Sequence, residues 1–222
     1  MNNPAALLLL LCLLTQTLLT AHGAGPTKAS SVAKADIPFI QCSVCEHAVE
    51  RAWTASAAIR KVRKRPDEDA FVEVAEKLCA PAAEHGSWLA SVDLKRSWDR
   101  LEVIVRHERG HCKEECRTAA AACRKVLDHW DLDLAEALYN RKIKTLRKLQ
   151  NKVCRKWAKV CGKGKTPPVP ESYVRADEAF KAKSDADVEM DELMAKMKAA
   201  GLGGMSVFNR DEIGELDEAG EL

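Results

Sequence analysis

Cys42-Ser43-Val44-Cys45, near the start of the folded region, and Cys154-x6-Cys161, near its end, are the stretches that decide the fold of this 222-residue chain. The chain has nine cysteines, and Cys12 lies apart from the others in an apolar leader. An even set of thiols behind a secretory leader is typical of a disulfide framework in an oxidising compartment. Between the two quoted stretches, the remaining members of the set are Cys79, Cys112, Cys116 and Cys123.

The first 23 residues are predicted to be a cleaved signal peptide. The apolar run from Ala5 to Leu14 is too short for a membrane span, which needs about 20 apolar residues. Ala21-His22-Gly23 then offers the small residues that a signal peptidase accepts. The alternative is an uncleaved anchor. Residues 24–36 are small and polar, and we expect them to form a disordered leader. These features predict a protein of the endoplasmic reticulum lumen or a secreted one.

The near-neutral total charge conceals two parts of opposite sign. Residues 37–165 carry a net charge of +9, and residues 166–222 carry −8. Gly162-Lys163-Gly164-Lys165 and the prolines at 167, 168 and 170 separate these two parts, because glycine ends helices and proline enforces extended chain. This pattern predicts a basic domain over 37–165 and, over 166–222, a proline linker with a largely disordered acidic tail.

Hydrophobic periodicity inside the basic domain predicts an all-α fold with one β-hairpin. Apolar residues recur at three- and four-residue steps in four stretches. The run between the second and third stretches is instead rich in strand-forming residues. The four helices are expected at about 39–62, between Pro66 and Pro81, at 112–139 with a bend near Asp131, and at 145–161, with hairpin strands at 88–94 and 101–106.

Two cysteine chemistries compete with a purely structural role. Cys42-Ser43-Val44-Cys45 has the spacing of a thioredoxin-type redox pair, but no strand precedes it to supply the usual context. His107, His111, Cys112 and Cys116 have a spacing that could bind a metal. In an oxidising compartment we expect these thiols to be bridged. No nucleophile–base pair, phosphate loop or carboxylate pair stands out, so we expect no enzyme, no cofactor and no metal site.

The cysteine frame resembles that of saposin B-type domains, and in its longer form it is similar to the canopy family of endoplasmic-reticulum saposin-like proteins. The stretches that carry the resemblance are Ile37-Pro38-Phe39-Ile40-Gln41-Cys42-Ser43-Val44-Cys45-Glu46, Gly110-His111-Cys112-Lys113-Glu114-Glu115-Cys116 and Pro167-Pro168-Val169-Pro170. The resemblance covers about residues 37–213. It implies a disulfide-stapled, saposin-like four-helix domain.

In saposin-type domains two bridges join the first and last helices, and one joins the middle helices. Carried over, this implies the pairs Cys42–Cys161, Cys45–Cys154 and Cys79–Cys123. The spacings are unequal, about 4.5 Å along a helix for the first pair of cysteines and about 10.5 Å for the last pair. Cys161 must therefore lie in a frayed or turning end of the fourth helix, which Gly162 allows. Cys112 and Cys116 have no counterpart in saposins, and either they form a local bridge or Cys116 replaces Cys123 as the partner of Cys79.

The resemblance also implies two functions. Canopy-like proteins assist the folding or delivery of other secretory proteins, whereas saposin-like domains often bind lipids. The basic outer face of the fourth helix either meets an anionic membrane surface or is an ordinary solvated face, and the leader argues against nucleic acid as a partner. The residues of this basic face are Arg141, Lys142, Lys144, Arg147, Lys148, Lys152, Arg155, Lys156 and Lys159.

The acidic tail contains a short amphipathic helix with the character of a partner-binding element. Within 187–200, Met190, Leu193, Met194 and Met197 fall on one face, and methionine adapts to irregular apolar surfaces. Such a helix either packs on its own domain or docks on another protein. We expect a non-enzymatic luminal factor that binds other secretory-pathway proteins as a folding co-chaperone, with a lipid- or membrane-binding saposin-type protein as the alternative.

Overall fold

The longest helix, α1, runs through the middle of the molecule, because apolar residues recur along it every three or four positions. The computed structural model describes residues 32–201. Ile40, Val44 and Val49 of α1 are fully buried. The elements, in order, are α1 Ile37–Val62, α2 Asp69–Lys77, a 3₁₀ helix Glu84–Ser91, β1 Val92–Ser97, β2 Arg100–Val105, α3 Glu114–Leu127, α4 Asp131–Tyr139, α5 Leu146–Gln150 continued by a π-helix Asn151–Trp157, and α6 Asp185–Ala199.

The helices pack as pairs around α1. It contacts α3, α5 and the π-helix, and α2 packs against α4. The predicted third helix is thus two helices, separated by a short turn before Asp131. The structure is mostly helical with one hairpin and four disulfides, so the expectation of a disulfide-stapled helical domain is confirmed at that level.

The hairpin is shorter at its start than the sequence predicts. Trp88 and Leu89 are buried in the 3₁₀ helix rather than in a strand. Strands β1 and β2 pair antiparallel, with Val92 opposite Val105 and Ser97 opposite Arg100, so that only two residues form the turn. The ring nitrogen of Trp88 donates a hydrogen bond of 3.1 Å to the carbonyl of Leu78. This bond explains the difference, because a buried indole N–H needs a partner that the 3₁₀ path supplies.

Two disulfides join α1 to the end of the last core helix. Cys45–Cys154 and Cys42–Cys161 have Cα–Cα distances of 5.9 Å and 4.8 Å. The chain reconciles their unequal spacings by widening into a π-helix and then reversing at Lys159, which has a φ of 56°. As a result the N–H of Cys161 donates to the carbonyl of Cys154 at 3.1 Å. The reversal thus begins three residues earlier than Gly162.

The other two disulfides are Cys79–Cys123, which ties the end of α2 to α3, and Cys112–Cys116, which closes a local loop at the start of α3. All four pairs are those that the saposin resemblance and the local-bridge option imply. In the chain model, a closed loop of about 100 residues removes roughly 4.7 kcal/mol of unfolded-state entropy. The bridge between Cys112 and Cys116 spans only four residues and contributes far less.

The segments that flank the domain are more ordered than the sequence predicts. Asp36, at the end of the expected leader, is fully buried, and the N–H of Ala33 donates to the hydroxyl of Thr118 at 2.9 Å. The expected proline linker and tail also pack on the domain, as far as Lys183. Their polar composition suggested disorder, but specific hydrogen bonds and a buried ion pair hold them in place. The signal peptide expected at 1–23 lies outside the described residues.

Candidate partner-docking site

The chain after the last disulfide forms a strap, residues 169–183, that crosses the hairpin and the start of α3. Val169 is buried, and its N–H donates to the carbonyl of Asp99 in the hairpin turn at 2.7 Å. Arg96 of β1 donates to the carbonyls of Pro170, at 2.8 Å, and of Tyr173. The strap therefore begins at the tip of the hairpin and is held there through its backbone.

A buried cluster of charges fixes the middle of the strap. Arg175 donates to Asp36 at 2.8 Å, to the carbonyl of Leu94 at 3.0 Å and to Glu115. The side chains of Arg175, Asp36 and Glu115 are only 10%, 0% and 6% exposed. The hydroxyl of Tyr173 donates to the second oxygen of Asp36 at 2.5 Å. One cation thus joins the start of α1, the hairpin and α3.

Burial and hydrogen bonding shift the pKa values within this cluster. Burial raises the pKa of Glu115, although Arg175 and the N–H of Leu94 oppose the shift. For Arg175, burial is the largest single influence, and by itself it would lower the pKa. The hydrogen bonds to Glu115 and Asp36 together outweigh burial, so that the pKa of Arg175 is raised. Burial, followed by the hydrogen bond to Asp36, raises the pKa of Tyr173 to about 12. Arg175 and Tyr173 therefore remain protonated at neutral pH.

The far end of the strap lies against the loop between β2 and α3. Gly110 and Ala182 form an isolated antiparallel bridge, and the N–H of Lys183 donates to the carbonyl of Arg109 at 2.8 Å. A Cβ atom on Gly110 would lie 2.8 Å from the ring of Phe180 and 3.1 Å from the carbonyl oxygen of Ala90. Because little room remains for a Cβ atom, this close approach favours glycine at position 110.

Helix α6 starts directly after the strap, and its first turn is capped. The hydroxyl of Ser184 accepts from the N–H of Asp187 at 3.2 Å, while the Asp187 carboxylate accepts from the N–H and hydroxyl of Ser184. This reciprocal arrangement is a capping box. The hydrogen bonds from Ser184 lower the pKa of Asp187. The cap fixes the start of a helix that would otherwise be marginal in water.

Ion pairs link charged residues of α6 to the loop before α3 and to the end of the strap. Arg109 lies 3.2 Å from the carboxylate of Glu192, and Lys183 lies 2.5 Å from that of Asp191. With 3.6 residues per turn, Glu192 lies on the side of the helix opposite the apolar stripe. Met190, Leu193 and Met194 are 39%, 51% and 37% exposed. The stripe, completed by the half-buried Met197, therefore faces away from the attachment.

The sequence-predicted docking residues thus share one face, on a helix of 185–199 rather than 187–200. Arg175, which fixes the strap that carries this helix, was not predicted from the sequence. A single arginine in an acidic segment has no periodic signal. Its lone positive charge beside Tyr173 in a stretch of net negative charge was the one available clue.

The cysteines that were candidates for a redox pair or a metal site are all paired in disulfides. Cys42 and Cys45 have separate partners, so they do not form a bridge with each other. Cys112 and Cys116 are bonded together. Within residues 32–201, one group has potential metal ligands within 4.8 Å of one another, Cys42, Glu46 and Cys161. Two of these three atoms are the sulfurs of one disulfide, whereas cysteine binds metals as the thiolate.

A second surface combines positive charge with aromatic rings. All nine residues of the basic face are exposed. Beside them, the rings of Trp130 and Trp157 stack at a centroid distance of 5.8 Å, and the ammonium group of Lys152 lies 4.8 Å from the Trp157 ring. Leu132, next to Trp130, is 63% exposed. We call this surface the basic–aromatic face.

Among the helices that the structure describes, none is both long and apolar enough to cross a bilayer. Four disulfides indicate an oxidising compartment, luminal or extracellular. Comparisons of this chain with protein-family models, with curated proteins and with solved structures found no match.

Proposed function

We propose that this protein is a non-enzymatic binding factor of the endoplasmic reticulum lumen, and that it holds apolar segments of other secretory-pathway proteins during their folding. The observation that supports this most directly is the outward-facing stripe of α6. A helix that packed on its own domain would bury its apolar side there. This helix is linked instead to the loop before α3 through Glu192 and to the end of the strap through Asp191, and it leaves the stripe open.

The chemistry of the stripe defines the kind of segment that fits it. Three thioethers and one leucine make an adaptable apolar surface, which suits varied clients more than one shaped ligand. Acidic residues border the stripe, among them Asp187, Glu189 and Asp191. An apolar client segment flanked by lysine or arginine complements both features. The saposin and canopy resemblance of the cysteine frame points to the same class of function.

A defined peptide tests the proposal. Fluorescence anisotropy measures how tightly the full-length oxidised protein binds a labelled apolar peptide. The affinity for a version with lysine flanks is compared with that for a version with glutamate flanks. Replacing Met190, Leu193, Met194 and Met197 by glutamine should weaken binding of the lysine-flanked peptide by at least about tenfold, or 1.4 kcal/mol. Ala195→Gln, on the opposite side of α6, is the matched control and should change affinity by less than about twofold.

A second experiment addresses clients in the cell. A photo-crosslinker at position 193 should capture secretory proteins, whereas the same group at position 195 should not. If the two positions crosslink alike, or if the glutamine variant binds the peptide as the wild type does, α6 is not the docking site.

The basic–aromatic face supports one alternative function, binding to an anionic membrane surface. Tryptophan pairs and exposed leucine suit the interfacial region of a bilayer, and neighbouring lysines attract anionic headgroups. Flotation with vesicles containing phosphatidylserine separates the two functions. Loss of flotation in Trp157→Ser and Leu132→Ser variants, together with unaltered peptide binding, would favour the membrane function.

A further inference from the structure

The loop that receives the far end of the strap contains the short disulfide Cys112–Cys116, which none of the functions above uses. We propose that this bridge is a thiol–disulfide exchange site, opened by dithiols or by glutathione, and that its opening releases the strap from the domain. The inference does not depend on which surface binds a client, because it concerns only the bridge and the strap.

Burial separates this bridge from two of the other three. Cys45 and Cys154 are fully buried, and Cys79 and Cys123 are 7% and 0% exposed. A thiolate from solution cannot reach the sulfurs of these two bridges unless the domain unfolds. Cys112, in contrast, is partly exposed.

Cys42 of the Cys42–Cys161 bridge is also partly exposed, but its surroundings favour re-closure. The Cys45–Cys154 bridge is only three residues away along α1, and the N–H of Cys161 donates to the carbonyl of Cys154 at 3.1 Å. The two thiols would therefore stay at a high effective concentration after reduction. Cys112, in contrast, precedes α3 in a segment without helix or strand, so its thiol can move away from Cys116 once the bridge opens.

Glutathione is the only reactant that this exchange requires. A glutathione thiolate attacks the sulfur of Cys112, the more exposed of the pair, and the sulfur of Cys116 leaves as a thiolate. A second glutathione then attacks the mixed disulfide. Overall, one protein disulfide gains two electrons and two protons, while two glutathione molecules are oxidised to one disulfide. Cys116 is the third residue of α3, where the helix N-terminus favours a departing thiolate.

The strap is attached to the same few residues. The N–H of His111 donates to the carbonyl of Lys181 at 3.3 Å, beside the bridge between Gly110 and Ala182. Glu178 accepts from the N–H of Glu115 at 3.2 Å, and it thereby caps the start of α3 from the strap. The disulfide therefore holds in shape the loop on which this end of the strap rests.

Opening the bridge acts on these attachments in two ways. The loop gains freedom, and the backbone contacts with Lys181 and Ala182 become weaker. Moreover, Cys116 lines a small cleft together with Glu115 and Glu178. A new thiolate there would compete with the Glu178 carboxylate for the same helix N-terminus, and their like charges would repel.

Stepwise reduction of the intact protein tests the proposal. The full-length oxidised protein is incubated in glutathione buffers of decreasing potential, free thiols are trapped with iodoacetamide, and the labelled cysteines are identified by mass spectrometry. We expect Cys112 and Cys116 to be labelled at least about tenfold faster than Cys42 and Cys161. Opening of the Cys42–Cys161 bridge first, or of all four bridges together, would overturn the proposal.

Hydrogen exchange then reports on the strap. In protein with only the short bridge open, the amide of Lys183 should exchange at least about tenfold faster, while the amide of Cys161, far from the loop, should keep its rate. The Cys112→Ser/Cys116→Ser variant should show the same fast exchange without any reductant. If this variant does not fold, the reduced wild type still decides the question. An unchanged rate at Lys183 after selective opening would refute the release of the strap.

Discussion

Replacing Arg175 by methionine should destabilise the protein severely, because it leaves two buried carboxylates without their cation. Asp36 and Glu115 are 0% and 6% exposed, and each accepts a hydrogen bond from Arg175. Methionine keeps most of the side-chain volume and removes the charge. Breaking a buried ion pair from one side costs about 3–5 kcal/mol, and two carboxylates are orphaned here, so we expect a loss at the upper end of that range.

Urea unfolding with all four disulfides intact measures this loss. The change in midpoint multiplied by the slope gives the difference in free energy of unfolding. Arg96→Met is the matched control, because Arg96 also ties the strap to β1 but donates only to carbonyls, those of Trp98, Pro170 and Tyr173. We expect this control to cost about 1 kcal/mol.

A compensated variant separates charge from shape. Adding Asp36→Asn and Glu115→Gln to Arg175→Met removes both orphaned charges, and it should recover a large part of the lost stability. A loss below about 1 kcal/mol in Arg175→Met, or no recovery in the triple variant, would refute the view that this cluster holds the strap by charge.

Three further predictions concern other parts of the fold. Gly86→Ala should destabilise the protein by about 1–3 kcal/mol or more in the same urea assay, since a Cβ there would lie 2.0 Å from the carbonyl oxygen of Ala80. Ser184→Ala should cost α6 about 1 kcal/mol of helix stability, seen as faster hydrogen exchange in its first turn with the core unchanged. Tyr173 has a pKa of about 12, raised by burial and Asp36, so its contribution to stability is complete below pH 10 and is lost as the pH rises through 12. Tyr173→Phe should abolish this alkaline step in the pH dependence of unfolding, and persistence of the step would contradict the assignment.

The sequence predicts the parts of this fold that have a repeating signal. Apolar periodicity locates α1, the helices after it and the amphipathic helix in the tail, because a buried helical face must recur every three or four residues. Three of the four disulfide pairs follow from the resemblance of the cysteine frame to saposin-type domains, whereas the Cys112–Cys116 bridge was one of two pairings that the sequence left open. The face that carries Met190, Leu193 and Met194 was likewise predictable.

The features that the sequence could not predict depend on single long-range contacts. Arg175 contacts Asp36, 139 residues away in the sequence, and Glu115, 60 residues away, and no local sequence pattern predicts such contacts. The acidic composition of the tail favours disorder, and one buried cation overrides it. The π-helix before Cys161 likewise arises from the need to bring two unequally spaced cysteines to one helix.

The charge cluster of Arg175 also sets an order of events while the chain is being made. Glu115 is synthesised 60 residues ahead of Arg175. At synthesis rates of 5–20 residues per second, the interval is about 3–12 s. During that time the partly made protein exposes the carboxylates of Asp36 and Glu115 to water, along with the α1 and α3 surfaces that the strap later covers. The strap therefore arrives only after α1, the hairpin and α3 have been made, and a nascent chain stalled before residue 175 keeps the surfaces beneath the strap exposed.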